Sequence, residues 1–157
     1  MTIEFKIDDL SDPRVGEFLE EHIKDMKSVS PPESKHALDL DDLKMPDITF
    51  WSAWNQHKLI GCGALKELDN THAEIKSMRI SPDLRGRGLA SRLLSHMLSE
   101  AALKGYRTVS LETGSMTFFE PARKLYEKFG FSYCPPFANY EEDPNSVFMS
   151  LGLVKNA

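Results

Sequence analysis

Cysteine is nearly absent from this chain. Cys62 and Cys134 are the only two, and no Cys-x-x-Cys or Cys/His ligand spacing surrounds them, so neither a disulfide framework nor a zinc site is indicated. They read as reduced, packing thiols. No run of about eighteen apolar residues occurs, which excludes a membrane-spanning helix. The opening Met1-Thr2-Ile3-Glu4-Phe5-Lys6 lacks the apolar stretch of a signal peptide, so a cytoplasmic location without a membrane partner is expected. Positive charge is not in excess either. Nineteen Lys and Arg against 24 Asp and Glu leave a net charge of −5, which argues against nucleic acid as a partner, since phosphate backbones require clustered basic surface. No internal repeat, linker or low-complexity tract is found. What is present, 157 residues with 41% hydrophobic and 27% charged, suits a single soluble domain spanning 1–157.

The net charge hides an asymmetry. From Lys76 to Arg107 seven basic residues face only Asp83 and Glu100, a local charge of +5 that leaves −10 for the rest. An anionic ligand is expected there. The first fifty residues hold thirteen acidic and six basic side chains, a count that fits either a cationic acceptor or a solvated face.

The hydrophobic pattern predicts the elements. Ile3, Phe5 and Ile7 alternate as in a half-buried strand. Asp12-Pro13 then looks like an N-cap with proline at the first helical position, opening an amphipathic helix through Val15, Phe18, Leu19, His22, Ile23 and Met26. That helix should end before the Ser28-to-Ser34 stretch, and Leu38, Leu40 and Leu43 suggest a short second one. Ile48 to Trp54 and Leu59 to Leu68, joined by a polar turn, read as an antiparallel hairpin, with a third strand from Ala73 to Ile80. The period then changes to 3.6 residues: Leu89, Leu93, Leu94, Met97, Leu98 and Ala101 share a helical face that Gly105 terminates. A strand at Arg107 to Leu111, a helix from Pro121 to Phe129, and strands near Phe131 to Tyr133 and Ser146 to Leu153 complete the chain. A helix joining the Ala73 and Arg107 strands implies a parallel pair, and the hairpin implies antiparallel ones, so the sheet is mixed.

The most informative segment is Arg85-Gly86-Arg87-Gly88-Leu89-Ala90-Ser91, between a strand and the long helix. Glycines permit tight turning and close approach, and the unpaired N–H groups of a helix's first turn, with its dipole, make a phosphate cradle. Arg85, Arg87 and Arg92 add charge. A P-loop would need Gly-x-x-x-x-Gly-Lys-Ser/Thr, which is absent. A dinucleotide fingerprint fits better, with Gly86-x-Gly88-x-x-Ser91 and Glu112 as the acidic residue, but its third glycine is missing and only about seventy residues remain after it, too few for a doubly wound sheet.

Arg85-x-x-Gly88-x-Ala90 resembles the Gln/Arg-x-x-Gly-x-Gly/Ala signature of the GNAT superfamily of N-acetyltransferases, and Ala122-x-x-Leu125-Tyr126-x-x-x-Gly130-Phe131 is similar to its later helix-and-strand motif. His36-Ala37-Leu38-Asp39-Leu40 and Leu111-Glu112-Thr113-Gly114-Ser115 resemble a bacterial group of small acetyltransferases within it. The resemblance implies an α/β fold, a mixed, mostly antiparallel sheet splayed at a central parallel pair with helices on both faces. It implies acetyl-CoA as acyl donor, with its pyrophosphate on backbone N–H groups of Arg85, Gly86, Arg87, Gly88, Leu89, Ala90 and Ser91 and its pantetheine arm along Met78 to Ile80. A backbone N–H near Ile80 would polarise the thioester carbonyl.

Glu74 matches a glutamate that serves as general base in the histone-modifying branch. It is expected on the same strand face as Met78 and Ile80, with partial desolvation raising its pKa; the other reading is an edge or surface carboxylate paired with a lysine such as Lys76. Tyr126 matches the helix tyrosine thought to protonate the departing thiolate, and is otherwise a core aromatic. Phe119 replaces an asparagine found in many members, so that residue's cofactor contact is lost or replaced. His36, near Asp39, Asp41 and Asp42, reads as part of a solvated loop, and Phe50, Trp51 and Trp54 as core. The cysteines lack a covalent-intermediate pattern, so direct attack by the acceptor is expected over ping-pong chemistry. The acceptor is a small-molecule or protein amine, and a homodimer is left open. A catalytically silent acyl-CoA-binding domain and a dinucleotide module are the competing functions.

Overall fold

A computed structural model describes residues 2–29 and 40–153. The reading of His36 falls outside them. The order is β1 (Glu4–Ile7), α1 (Pro13–Val29), α2 (Leu40–Leu43), β2 (Ile48–Asn55), β3 (Lys58–Glu67), β4 (His72–Ile80), α3 (Leu89–Leu103), β5 (Thr108–Gly114), α4 (Glu120–Lys128), β6 (Ser132–Cys134) and β7 (Ser146–Gly152). The seven strands form one sheet ordered β1-β2-β3-β4-β5-β7-β6, in which β4 and β5 are the parallel pair and the other pairs are antiparallel. The mixed architecture expected from the element order is therefore present. No helix among the described residues is long and apolar enough to cross a membrane.

Local chemistry sets the helix boundaries. The Asp12 carboxylate accepts the Arg14 N–H at 2.9 Å, satisfying one of the orphan donors that open α1, and Pro13 has no N–H to satisfy. Lys104 caps α3, and Gly105 comes next at φ +91°, a left-handed conformation that glycine enters without steric cost.

Helices cover both faces, each with its own core. On one face α1 buries Val15 and Leu19 among Phe50, Trp54, Cys62 and Ala64. On the other, α3 buries Leu89, Leu93, Leu94, Met97 and Ala101 against Trp51, Ile60, Ile75 and Val109, and Tyr126 of α4 joins the same cluster. Strand alternation divides β2 between them, with Phe50 and Trp54 toward α1 and Trp51 and Ala53 toward α3. Close approach of α3 depends on Gly63, where a Cβ would stand 2.6 Å from the Met97 sulfur.

Strand β4 departs from regular pairing in two ways. Cys62 pairs with Arg79 and Ala64 with Lys76, so two steps along β3 match three along β4. The extra residue is a β-bulge at Ser77, whose φ is +54°. It reverses the alternation, so that Ile75 before it and Met78 and Ile80 after it all face the α3 core. Glu74 therefore lies on the face opposite Met78 and Ile80, not the same face as uninterrupted alternation would place it. It shares the α1 face with Lys76 and Arg79. The second departure is lateral. β4 pairs with β5 only from His72/Thr108 to Glu74/Ser110, although β4 continues to Ile80 and β5 to Gly114. Beyond Glu74 the sheet is open.

Because left-handed φ is penalised for side chains with a Cβ and most of all for β-branched ones, Ser77→Val is expected to lower stability by about 1–2 kcal/mol, read from the urea midpoint, while Ser77→Gly is not.

Candidate active site

The opening between β4 and β5 is a cleft of about 520 Å³. Its walls are the turn before α3, the cleft-facing side of α1 at His22, Asp25 and Met26, the start of α4 through Tyr126, and Tyr140 of the β6–β7 loop. Glu74, Met78, Ile80, Arg85, Gly86, Gly88, Leu89, Ala90, Ser91 and Tyr126 line it, whereas the Arg87 position does not.

The turn at one end is built for an anion. Gly86 and Gly88 have φ of +79° and +77°, and a Cβ at either would meet nothing within 4 Å, so each is required for its conformation and leaves space in front of the backbone. Gly88 is the N-cap of α3. It offers no side-chain acceptor, and the first turn of α3 has no acidic residue. The intrahelical series opens with Arg92 N–H on Gly88 O at 3.3 Å, which leaves the amides of Leu89, Ala90 and Ser91 at the positive end of the helix dipole. With Arg85 beside them, these residues fit a diphosphate.

The strand edge fits an extended arm. Ser81 N–H donates to Ile60 O at 2.8 Å, and the Arg79 carbonyl stands 3.0 Å from where a Gly61 Cβ would be, so both face β3. Alternation then turns the Ile80 amide toward the open side.

On the α1 face Glu74 is 3% exposed and carries two donors on one oxygen: Lys76 Nζ at 3.0 Å and Tyr140 Oη at 2.5 Å, both to Oε2. Lys76 Nζ also donates to Tyr140 Oη at 2.7 Å, closing a triangle whose lysine side chain is only 9% exposed. The pairing with Lys76 is thus present, but at a buried position in the cleft wall and not at the surface. Burial, and next the Glu74 charge, raise the Tyr140 hydroxyl well above its usual range. Around it Phe137 and Phe148 make an aromatic cluster, and His72 Nε2 lies 2.6 Å from Ser110 Oγ. No motif announces Tyr140, which arrives on an irregular loop sixty-six residues from Glu74.

Tyr126 is 8% exposed and packs edge-on against Phe131. Burial, with the Glu112 charge adding to it, pushes its hydroxyl up to about 12, so it is protonated at neutral pH. Phe119 lines the cleft over Gly114, where a Cβ would collide with the ring. Arg123 ties this corner together through the carbonyls of Gly114 and Met116 at 2.7 and 2.9 Å. Phe50, Trp51 and Trp54 are core residues, as expected. Cys62 is fully buried, its thiol pushed up to about 12 by desolvation, a poor nucleophile.

Residues 16–131 match the sequence pattern of the acetyltransferase (GNAT) family. The chain is 59% identical over 145 residues to the uncharacterized N-acetyltransferase YsnE of Bacillus subtilis (strain 168), covering 92% of this chain and 96% of that one. It is 48% identical over 151 residues to the uncharacterized N-acetyltransferase YedL of Escherichia coli (strain K12), covering 96% and 95%. In architecture it is similar to a GNAT family acetyltransferase from Elizabethkingia anophelis solved with acetyl-CoA bound, with a TM-score of 0.72 at 20% identity over 96% of this chain and 98% of that one.

His22, on the cleft-facing side of α1, is pushed down to about 4 from its ordinary 6.5, first by burial and then by the charge of Arg79, with Asp25 opposing and Arg85 reinforcing. Between those two values the unfolded imidazole binds a proton that the folded one does not, so this group's contribution to stability falls as pH drops from about 6.5 to about 4. His22→Gln is expected to flatten that part of the stability–pH curve, measured by urea unfolding.

Proposed function

Because this chain belongs to the acetyltransferase (GNAT) family and is an N-acetyltransferase, we propose that it transfers the acetyl group of acetyl-CoA to an amine by direct attack within a ternary complex. The observation that carries the reading is continuity: one cleft joins the uncapped start of α3 to Glu74 and Tyr126 across the gap in the sheet. The acetyl-CoA in the Elizabethkingia anophelis relative supports the donor.

The amides of Gly86 and of Gly88 to Ser91 hold the diphosphate, with the Arg85 side chain beside them and the two glycines giving access to it. The unpaired edge of β4 from Met78 to Ile80 takes the pantetheine arm, and the Ile80 N–H donates to the thioester carbonyl as charge develops on its oxygen. Glu74 accepts the proton that the acceptor amine must lose, directly or through water. Lys76 and Tyr140 occupy Oε2, which leaves Oε1 for that proton. Tyr126, protonated at neutral pH, supplies a proton to the departing thiolate. With both substrates fixed on one frame, positioning provides much of the rate.

Acetyl-CoA and CoA are expected to raise the melting temperature while NAD leaves it unchanged, because only a ligand that prefers the native state stabilises it. Gly88→Glu sets a carboxylate against the diphosphate and is expected to abolish that shift in a protein whose circular dichroism remains native. Glu74→Gln should leave the acetyl-CoA shift intact and lower kcat by about a hundredfold or more, the range for losing a general base; unchanged kcat would remove Glu74 from the mechanism.

A further inference from the structure

Arg79 is the unexplained charge in the cleft. Its side chain is 2% exposed and leaves β4 on the same face as Glu74. Nη1 donates to Asp25 Oδ2 at 2.8 Å, and the guanidinium lies 5.4 Å from the Phe18 ring centroid. Nε and Nη2, by contrast, are buried without a hydrogen-bond acceptor among the described residues. Buried donors are nearly always bonded, so two on one side chain call for a cause. Glu21 stands 3.2 Å from Nη2 as an ion pair whose geometry makes no hydrogen bond, and its own side chain is 59% exposed.

We propose that the α1 end of the cleft binds a carboxylate on the amine acceptor, held side-on by Nε and Nη2 of Arg79; this rests on the acetyltransferase reading above. Those two nitrogens form one edge of the guanidinium and present parallel N–H bonds at the spacing of carboxylate oxygens, a geometry that lysine cannot reproduce. Asp25 fixes the opposite nitrogen, so the Nε–Nη2 edge is oriented before the ligand arrives. Glu21 is the group displaced, and releasing an exposed carboxylate from an ion pair with poor geometry into water costs little. Arg79 and Glu74 share a face of β4 but stand opposite β3 residues four apart, more than about 10 Å of strand. An acceptor gripped at both therefore carries its amine on a long arm away from its carboxylate, as an ω-amino acid does, and that grip orients the amine. The coenzyme's phosphates are the other anions within reach, but the start of α3 already provides for them.

The test is steady-state acetyl transfer to amino acids, each paired with its carboxamide, alongside alkylamines and polyamines. The carboxylates are expected to exceed their carboxamides in kcat/KM by at least about tenfold, because a site built to bond a group rejects the analogue lacking it. Arg79→Lys should raise KM for the carboxylates about tenfold or more and erase most of that preference, with KM for acetyl-CoA staying within about twofold. Glu21→Gln should lower KM for the carboxylates. Carboxamides used as well as carboxylates, or an Arg79→Lys enzyme that loses affinity for acetyl-CoA instead of for the acceptor, would overturn the proposal while leaving the acetyltransferase reading in place. If Arg79→Lys does not fold, the wild-type ratio and Glu21→Gln decide. Transfer to no amine in the panel overturns both readings.

Discussion

An extra residue in β4 governs where everything else lies. A strand of strict alternation would send Ile75 and Ile80 to opposite faces and leave one of them against the wrong core. The bulge at Ser77 returns both to the α3 side. The same insertion collects Glu74, Lys76 and Arg79 on the α1 side, next to the point where β4 and β5 part. A sheet that stayed paired along its full length would bond the Ile80 amide to β5 and fill the space the cleft occupies. The site exists because the sheet is interrupted, and the α3-side cluster fixes β4 at both ends of the bulge through Ala73, Ile75 and Ile80.

The polar groups at that interruption are poorly explained as stabilisers. A buried ion pair recovers its desolvation only when the geometry is good and the remaining atoms are bonded, and an apolar replacement is often as stable. The Glu74–Lys76–Tyr140 triangle meets the geometric condition, with each pair within 3.0 Å. What it provides beyond stability is a carboxylate whose two oxygens differ: Oε2 is committed to a cation and a phenol, and Oε1 to neither. Tyr140 also ties the β6–β7 loop to the strand, so the cleft wall and the proposed base are positioned by the same bond.

Much of the frame was readable from the residues. The 3.6-residue period from Leu89 to Ala101, the Asp12-Pro13 start and the glycine stops at Gly105 and Gly130 all report local rules, and each element stands where those rules place it. The glycine turn was equally legible, since Gly86 and Gly88 are needed for backbone conformations that sequence encodes directly. The facing of Glu74 was not, because a bulge carries no signature beyond a serine in a strand, and one inserted residue inverts every orientation after it. Tyr140, His22 and Arg79 were missed as a group for a related reason. Their significance comes from contacts between distant segments, Arg79 with α1 and Tyr140 with β4, and no spacing within either segment records them.

The protonation states explain how opposite charges coexist in so small a cleft. Both tyrosines are held neutral by burial and neighbouring carboxylates, and His22 is held neutral by burial and the nearby arginines. Charge is thereby confined to a few places: the amides and Arg85 at the start of α3, Arg79 with Asp25 at α1, Glu74 with Lys76 between them, and Glu112 on β5. The basic excess from Lys76 to Arg107 supplies the cationic members, and the acidic excess of the first fifty residues supplies Glu21 and Asp25 opposite Arg79. A cleft in which every titratable side chain were charged would screen its own contrasts. With the intervening groups neutral, the start of α3 attracts an anion and Glu74 a cation, so the two molecules of the proposed transfer are oriented by field as well as by shape.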